Sequence, residues 1–203
     1  HNPFNHGLAG DLATMRGDFE AAAAAYAESL ALDAGRAGSA LGYAVALRGL
    51  GRAQDAALVL EPLTAEARPP TRAFTLYAEL LEELGRPEEA ARGLVEALVS
   101  GADAPSLARA LFATLRRASS GEAAAARLRE LVEERADPQV ARAVAEVLDD
   151  EQQRGHAIAL LRRVVHEAPG DVDALYRLRR LLTGRGLTRA EGERLLERVI
   201  ELA

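Results

Sequence analysis

The side chains that could do chemistry are few. Four histidines stand at His1, His6, His156 and His166. His156 and His166 share one helix-forming stretch, ten residues apart. That spacing turns them about 280° around a helix axis, so they cannot hold one metal ion or pass one proton as a pair. There is no cysteine, which excludes disulfides, thiolate zinc sites and cysteine nucleophiles. All 25 basic residues are Arg. Without Lys, the phosphate-cradling G-x-x-x-x-G-K-[ST] loop cannot form, and neither G-x-S-x-G nor H-E-x-x-H occurs. Gly49-Leu50-Gly51 and Gly184-Arg185-Gly186 fall between helix-forming stretches and read as turns. The acid clusters Glu82-Glu83, Glu88-Glu89, Glu133-Glu134 and Asp149-Asp150-Glu151 are adjacent in sequence and point apart on a helix, so they read as solvated faces and turn edges. The expectation is a chain without catalytic residues, metal ligands or a cofactor.

What remains is Arg chemistry. A guanidinium is a rigid fork of donors that grips a carboxylate through two charge-assisted hydrogen bonds. Whether several arginines converge depends on the elements that carry them.

Those elements are helices. Ala, Leu, Arg and Glu dominate, and aromatics are only 4%, with no Trp. Such a composition suits many close helix–helix contacts better than one large aromatic core. The helices recur with a period. Gly17, Gly51 and Gly85 are 34 residues apart, each between two helix-forming stretches, where a glycine with positive φ can end the first helix. Ala22, Ala56, Ala90 and Ala124 keep the same step, and Ala157 follows after 33. Four residues beyond each Ala stands a large apolar residue: Tyr26, Leu60, Leu94, Leu128 and Leu161. Leu30, Leu98, Val132 and Val165 lie further on, with Thr64 the exception. These offsets put a small and a large residue on one helical face. The small one admits a neighbouring backbone and the large one fills the groove beside it. The preceding helices repeat too, as Tyr43-Ala44-x-x-Leu47, Tyr77-Ala78-x-x-Leu81 and the looser Val144-Ala145-x-x-Leu148.

The 34-residue step, the turn glycine and the A-x-x-x-[large apolar] second helix resemble the tetratricopeptide repeat, over nearly the whole chain. The resemblance implies an all-α, right-handed α-solenoid of about six antiparallel helical hairpins. It is expected to form a single domain over 1–203, with units at about 3–36, 37–70, 71–104, 105–138, 139–171 and 172–203. Departures are expected at Pro62, which falls inside a second helix, and at Ser119-Ser120-Gly121, which replaces the single turn glycine. The last unit has a longer turn, Thr183–Thr188, with Arg179 where a small residue is expected and Gly192 where Ala is expected.

In this family the first helix of each hairpin lines an inner, concave surface that takes a peptide or a helix. On this sequence that face should carry Asp11, Thr14, Leu41, Val45 and Arg48, then Arg72, Thr75, Glu79 and Glu82, then Arg109, Ala113 and Arg116, Arg142, Glu146 and Asp149, and last Tyr176 and Arg180. The candidate binding residues are Arg48, Arg72, Glu79, Arg109, Arg116, Arg142, Tyr176 and Arg180. The Arg-rich later part would receive acidic side chains or a chain-terminal carboxylate. The alternative is that these arginines pair internally with Glu79, Glu146 and Asp149. A clamp for chaperone tails is not expected, because the Asn and Lys residues it uses are missing.

The implied function is a non-catalytic scaffold or adaptor that binds a protein segment in the groove. Two alternatives stay open: a self-assembling homo-oligomer, and a recruitment domain cut from a larger enzyme. Self-assembly would use the groove or the C-terminal helix, whose Leu195, Leu196, Val199, Ile200 and Leu202 form an apolar stripe with no polar cap after it. Net charge is −6, with residues 1–104 at −7 and 105–203 at +1. That balance argues against nucleic acid as a partner. No apolar run approaches the roughly 20 residues of a membrane span. The all-Arg basic set fits a GC-rich bacterial genome. The chain begins His1-Asn2-Pro3, which suggests a processed product or fragment. The cytoplasm is the expected compartment, with the periplasm or export the alternative if a signal has been removed.

Overall fold

A computed structural model describes residues 2–65, 70–99, 103–135 and 138–182, with 193, 194 and 197 beyond them. The described residues form eleven α-helices and no strand. The chain divides into two compact units, His1–Leu94 and Val95–Ala203, with the division inside one helix. The first unit holds α1 (Pro3–Met15), α2 (Phe19–Leu32), α3 (Ala37–Gly49), α4 (Ala53–Thr64), α5 (Thr71–Glu83) and the start of α6 (Pro87–Val99). The second holds the end of α6, then α7 (Ala104–Ala118), α8 (Gly121–Arg135), α9 (Pro138–Asp150), α10 (Arg154–Glu167) and α11 (Val172–Leu182). The longer turn of the sixth unit, Gly192 and the apolar C-terminal helix lie outside the described residues.

In the first unit each helix from α1 to α5 packs on the next, and α1 also packs on α3. In the second, α7 packs on α8 and α9, α9 on α8 and α10, and α10 on α11. Hairpins therefore stack through their first helices as well as around their turns. The repeating alanines lie at the centre of this packing: Ala22, Ala56, Ala90, Ala124 and Ala157 are fully buried, and so are their large partners Tyr26, Leu60, Leu94, Leu128 and Leu161. Leu98 and Val132 are buried, whereas Leu30 and Val165 are half-buried. In α2 the buried position beside Leu30 is Ser29. Its hydroxyl lies 2.8 Å from the Pro3 carbonyl and 2.8 Å from the Ser39 hydroxyl, so the polar atom keeps partners in the core.

Among the described residues, four hairpin turns end their first helix in the same way. Gly17, Gly51 and Gly85 have φ of 74°, 74° and 73°. The amide of each bonds back to the carbonyl three residues earlier, and the next amide bonds to the carbonyl five residues earlier, as in Gly17 N to Thr14 O and Asp18 N to Ala13 O, both 3.0 Å. This is the Schellman closure, which satisfies carbonyls a helix end would otherwise leave open. Gln152 makes the same closure at φ 62°, through Gln152 N to Asp149 O at 3.0 Å and Gln153 N to Leu148 O at 2.7 Å. The spacing marked the three glycines and passed over Gln152. The α7–α8 turn differs, because Ser119 is extended and Ser120 Oγ accepts from Ala123 N at 3.2 Å. Helix α4 continues through Pro62 and stops two residues later, at 12 residues against 14 for α2.

Candidate functional site

The site is built from first helices, because their remaining face is turned away from the second helices. In the first unit that face contains a hollow of about 300 Å³. Asp11, Thr14 and Met15 of α1, Leu41, Gly42 and Val45 of α3, and Arg72 of α5 line it, with Tyr26 of α2 at its base. Asp11, Thr14, Leu41, Val45 and Arg72 are residues the repeat pattern assigned to the inner face. Asp11 is held in place by Tyr26, whose hydroxyl donates to Asp11 Oδ1 at 2.7 Å. Thr14 Oγ1 donates to the Gly10 carbonyl at 2.9 Å. Burial is the larger cause that pushes the Tyr26 phenol above its ordinary value of 10, and the Asp11 carboxylate adds to it. Arg72 is exposed and has no ion-pair partner among the described residues.

The other candidate cations are already paired. Arg48 of α3 bridges two carboxylates of α5, Glu79 at 2.6 Å and Glu83 at 2.5 Å. The Glu83 hydrogen bond is the larger cause that raises the Arg48 pKa. In the second unit, Arg109 of α7 meets Asp150 of α9 at 2.9 Å, and Arg116 meets Glu151 at 3.4 Å. The Arg116 guanidinium also lies 6.0 Å from the centre of the Phe112 ring. Arg142 of α9 holds both oxygens of Asp171 at 2.8 and 3.0 Å, and Asp173 at 3.5 Å. Arg180 and Arg177 of α11 return to Asp149 at 2.8 Å and Glu146 at 3.1 Å on α9. Tyr176, also on α11, is 57% exposed.

The structure therefore gathers the candidates into two sets. Arg48, Arg72 and Glu79 belong to the first unit, and Arg109, Arg116, Arg142, Tyr176 and Arg180 to the second. Internal pairing includes Glu79, Glu146 and Asp149, and extends to Glu83, Asp150, Glu151 and Asp171. The sequence carries a signal for two of these extra partners, Glu83 and Glu151. Arg48 to Glu79, Glu146 to Arg177 and Asp149 to Arg180 are separated by 31 residues, and Arg48 to Glu83 and Arg116 to Glu151 by 35. One repeat less three, or plus one, lands on the same face of the next first helix, since these two positions are four residues apart.

His156 and His166 lie on one helix, α10, as the spacing implied. His156 Nε2 is 2.9 Å from Glu122 Oε1 of α8, a contact between second helices and away from the inner face. Among the described residues, no three of His, Asp and Glu are grouped so as to hold a metal ion. No helix among them is long and apolar enough to cross a membrane.

Successive antiparallel hairpins with a 34-residue step, a buried Ala–large pair in each second helix and Schellman turns define the tetratricopeptide-repeat fold. Solved structures of that fold match this chain. A thermophilic tetratricopeptide-repeat protein of Thermus thermophilus is 18% identical, with 89% of this chain and 98% of that one covered at a TM-score of 0.50. PilF of Pseudomonas aeruginosa is 19% identical, with coverage of 98% and 88% at a TM-score of 0.52. A tetratricopeptide repeat protein from Parabacteroides merdae is 12% identical, with coverage of 98% and 78% at a TM-score of 0.52. At these identities the likeness is one of fold. No protein-family model and no curated protein matches the sequence.

Proposed function

We propose that this chain is a non-catalytic scaffold that binds a segment of another protein along the exposed face of its first helices. The observation that carries the reading is the hollow of the first unit. Its walls are apolar at Met15, Leu41 and Val45, its rim carries Asp11 and Arg72, and Arg72 is not committed to an internal acid among the described residues. A site with apolar walls and a few fixed charges suits one side chain of an extended peptide or helix.

The arginines of the second unit have a secondary role in this reading. Arg109, Arg116 and Arg180 make exposed pairs, and such pairs are worth about 0–1 kcal/mol each. Exchanging a neighbour's carboxylate for a ligand's is then close to balanced, so an acidic partner can be received there. Arg142 is different. Its partner Asp171 is largely buried and also accepts from the Ala174 amide at 2.9 Å, which ties that pair to the start of α11.

The test is selection of binders to the full chain from a random peptide library displayed on phage. Selected peptides should lose roughly tenfold or more in affinity when Leu41→Glu and Val45→Glu fill the hollow with charge. Binding that ignores both substitutions would remove the hollow from the reading. Acidic peptides should weaken further with Arg109→Ala, and unchanged affinity there would sink the acid-recognition part.

A further inference from the structure

One face of α1 is exposed although every counterpart of its central residue is buried. Leu12 is 54% exposed. At the same place in the later first helices stand Ala46, Leu80, Thr114, Val147 and Leu181, and all five are buried. The comparison is sharpest with α5, two repeats on. There Leu76 and Leu80 occupy the positions of Leu8 and Leu12, with the same residue type at both. Leu76 and Leu80 lie in one core cluster with Ala56, Ala57, Leu60 and Leu63 of α4. The second helix of the preceding hairpin thus covers them. Leu8 is 47% exposed, and Phe4 and Met15 extend the stripe to both ends of α1.

We propose that this α1 face is a docking surface for an amphipathic helix of the α4 kind, one that presents an Ala-Ala-x-x-Leu-x-x-Leu face. The occupant's chemistry follows from continuity with the stacking of the first unit. A face carrying leucines at these two positions is covered, within this molecule, by a helix whose small residues let the backbones approach and whose leucines fill the grooves. Charge points the same way. Helix α1 carries one acid, Asp11, and no Arg, and the Arg36 guanidinium, 5.6 Å from the centre of the Phe4 ring, stands at one end of the stripe, so docking over Leu8 and Leu12 is driven by apolar burial and not by ion pairing. Met15 lines the peptide hollow, and Phe4 and Leu8 line a smaller hollow of about 140 Å³ that shares Asp11 and Tyr26 with it; Leu8 and Leu12 themselves do not line the peptide hollow, so substitutions at these two leucines test the docking face apart from it.

The experiment uses the full chain, labelled with ¹⁵N, and a synthetic peptide with the sequence of Ala53–Thr64 held helical by a side-chain staple on its polar side. Amide shifts confined to α1, and binding weakened roughly tenfold or more by Leu8→Glu with Leu12→Glu, are expected. Both leucines are exposed, so the double variant should keep the wild-type circular dichroism and melting midpoint. If it does not, Leu8→Ala with Leu12→Ala replaces it. No binding at about millimolar peptide (the weak end of measurable affinity), or equal binding by the variant, overturns the proposal. Concentration-dependent dimerisation of the free chain in sedimentation velocity, abolished by the same variant, overturns it in favour of a second copy as the occupant.

Discussion

The ring of Tyr26 occupies the space that a side chain at Gly42 would need. A β-carbon built at Gly42 would overlap the phenol, and one at Gly10 would stand 2.7 Å from its ring. One tyrosine of α2 is thus gripped between glycines of the two first helices that flank it. A glycine inside a helix costs about 1 kcal/mol relative to Ala, and at Gly10 and Gly42 the Tyr26 ring is the steric reason that offsets this cost. Gly42→Ala gains helix propensity but overpacks a buried ring, which costs about 1–3 kcal/mol. The expected net is a loss of up to about 2 kcal/mol, read as a lower urea midpoint by circular dichroism. Gly93 of α6 is the control, because nothing among the described residues lies within 4 Å of a β-carbon there. Gly93→Ala should raise the midpoint, and a fall at Gly93 with a rise at Gly42 would refute the assignment.

The same tyrosine gives a pH signature. Its hydroxyl donates to Asp11, and Tyr26→Phe removes that bond at a cost of about 0.5–1.5 kcal/mol near neutral pH. Burial, with Asp11 beside it, raises the phenol above 10 in the folded chain. Below 10 the phenol is protonated whether the chain is folded or not, and it contributes its full stability. Above 10 the unfolded chain loses the proton first, so stability falls as pH rises towards the folded value. The stability gap between wild type and Tyr26→Phe should therefore hold constant to about pH 9 and shrink by pH 11. A gap that widens over that range would contradict the buried, Asp11-bonded phenol.

The hairpin fold was legible because it depends on features that repeat. A turn that needs positive φ selects Gly, and a close helix crossing selects Ala, so Gly17, Gly51, Gly85 and the five buried alanines mark the period in the sequence itself. Residues on the inner face are free of that demand. Asp11, Thr14, Leu41, Val45 and Arg72, which the pattern put on one face of successive first helices, line one hollow, since position on a helix face follows from spacing alone. It left open whether each Arg was paired, because pairing depends on the next hairpin. The acids 31 or 35 residues away settle it for Arg48 and Arg116 once the stacking is known. Asp171 escaped that rule. It lies just before α11, 29 residues from Arg142, and reaches it from a helix N-terminus instead of from the same face.

Gln152 was missed for a related reason: its backbone obeys the turn, and its side chain does not announce it. At φ 62° it does the work of Gly17, Gly51 and Gly85 with a β-carbon in the left-handed region. That conformation costs an L-residue about 1–2 kcal/mol, whereas glycine adopts it freely. Glycine loses more backbone freedom on folding, which returns part of the difference. Gln152→Gly should therefore stabilise the second unit by about 0.5–1 kcal/mol, seen as a higher urea midpoint, and Gln152→Ala should leave stability nearly unchanged. Among the described residues the Gln152 side chain makes no hydrogen bond, so the gain is not offset by a lost contact. Gln152→Val is the complementary test. A β-branched residue is strongly disfavoured at positive φ, and it should destabilise where Gly stabilises. If Gly and Val shift the midpoint in the same direction, the turn is not held by this backbone geometry.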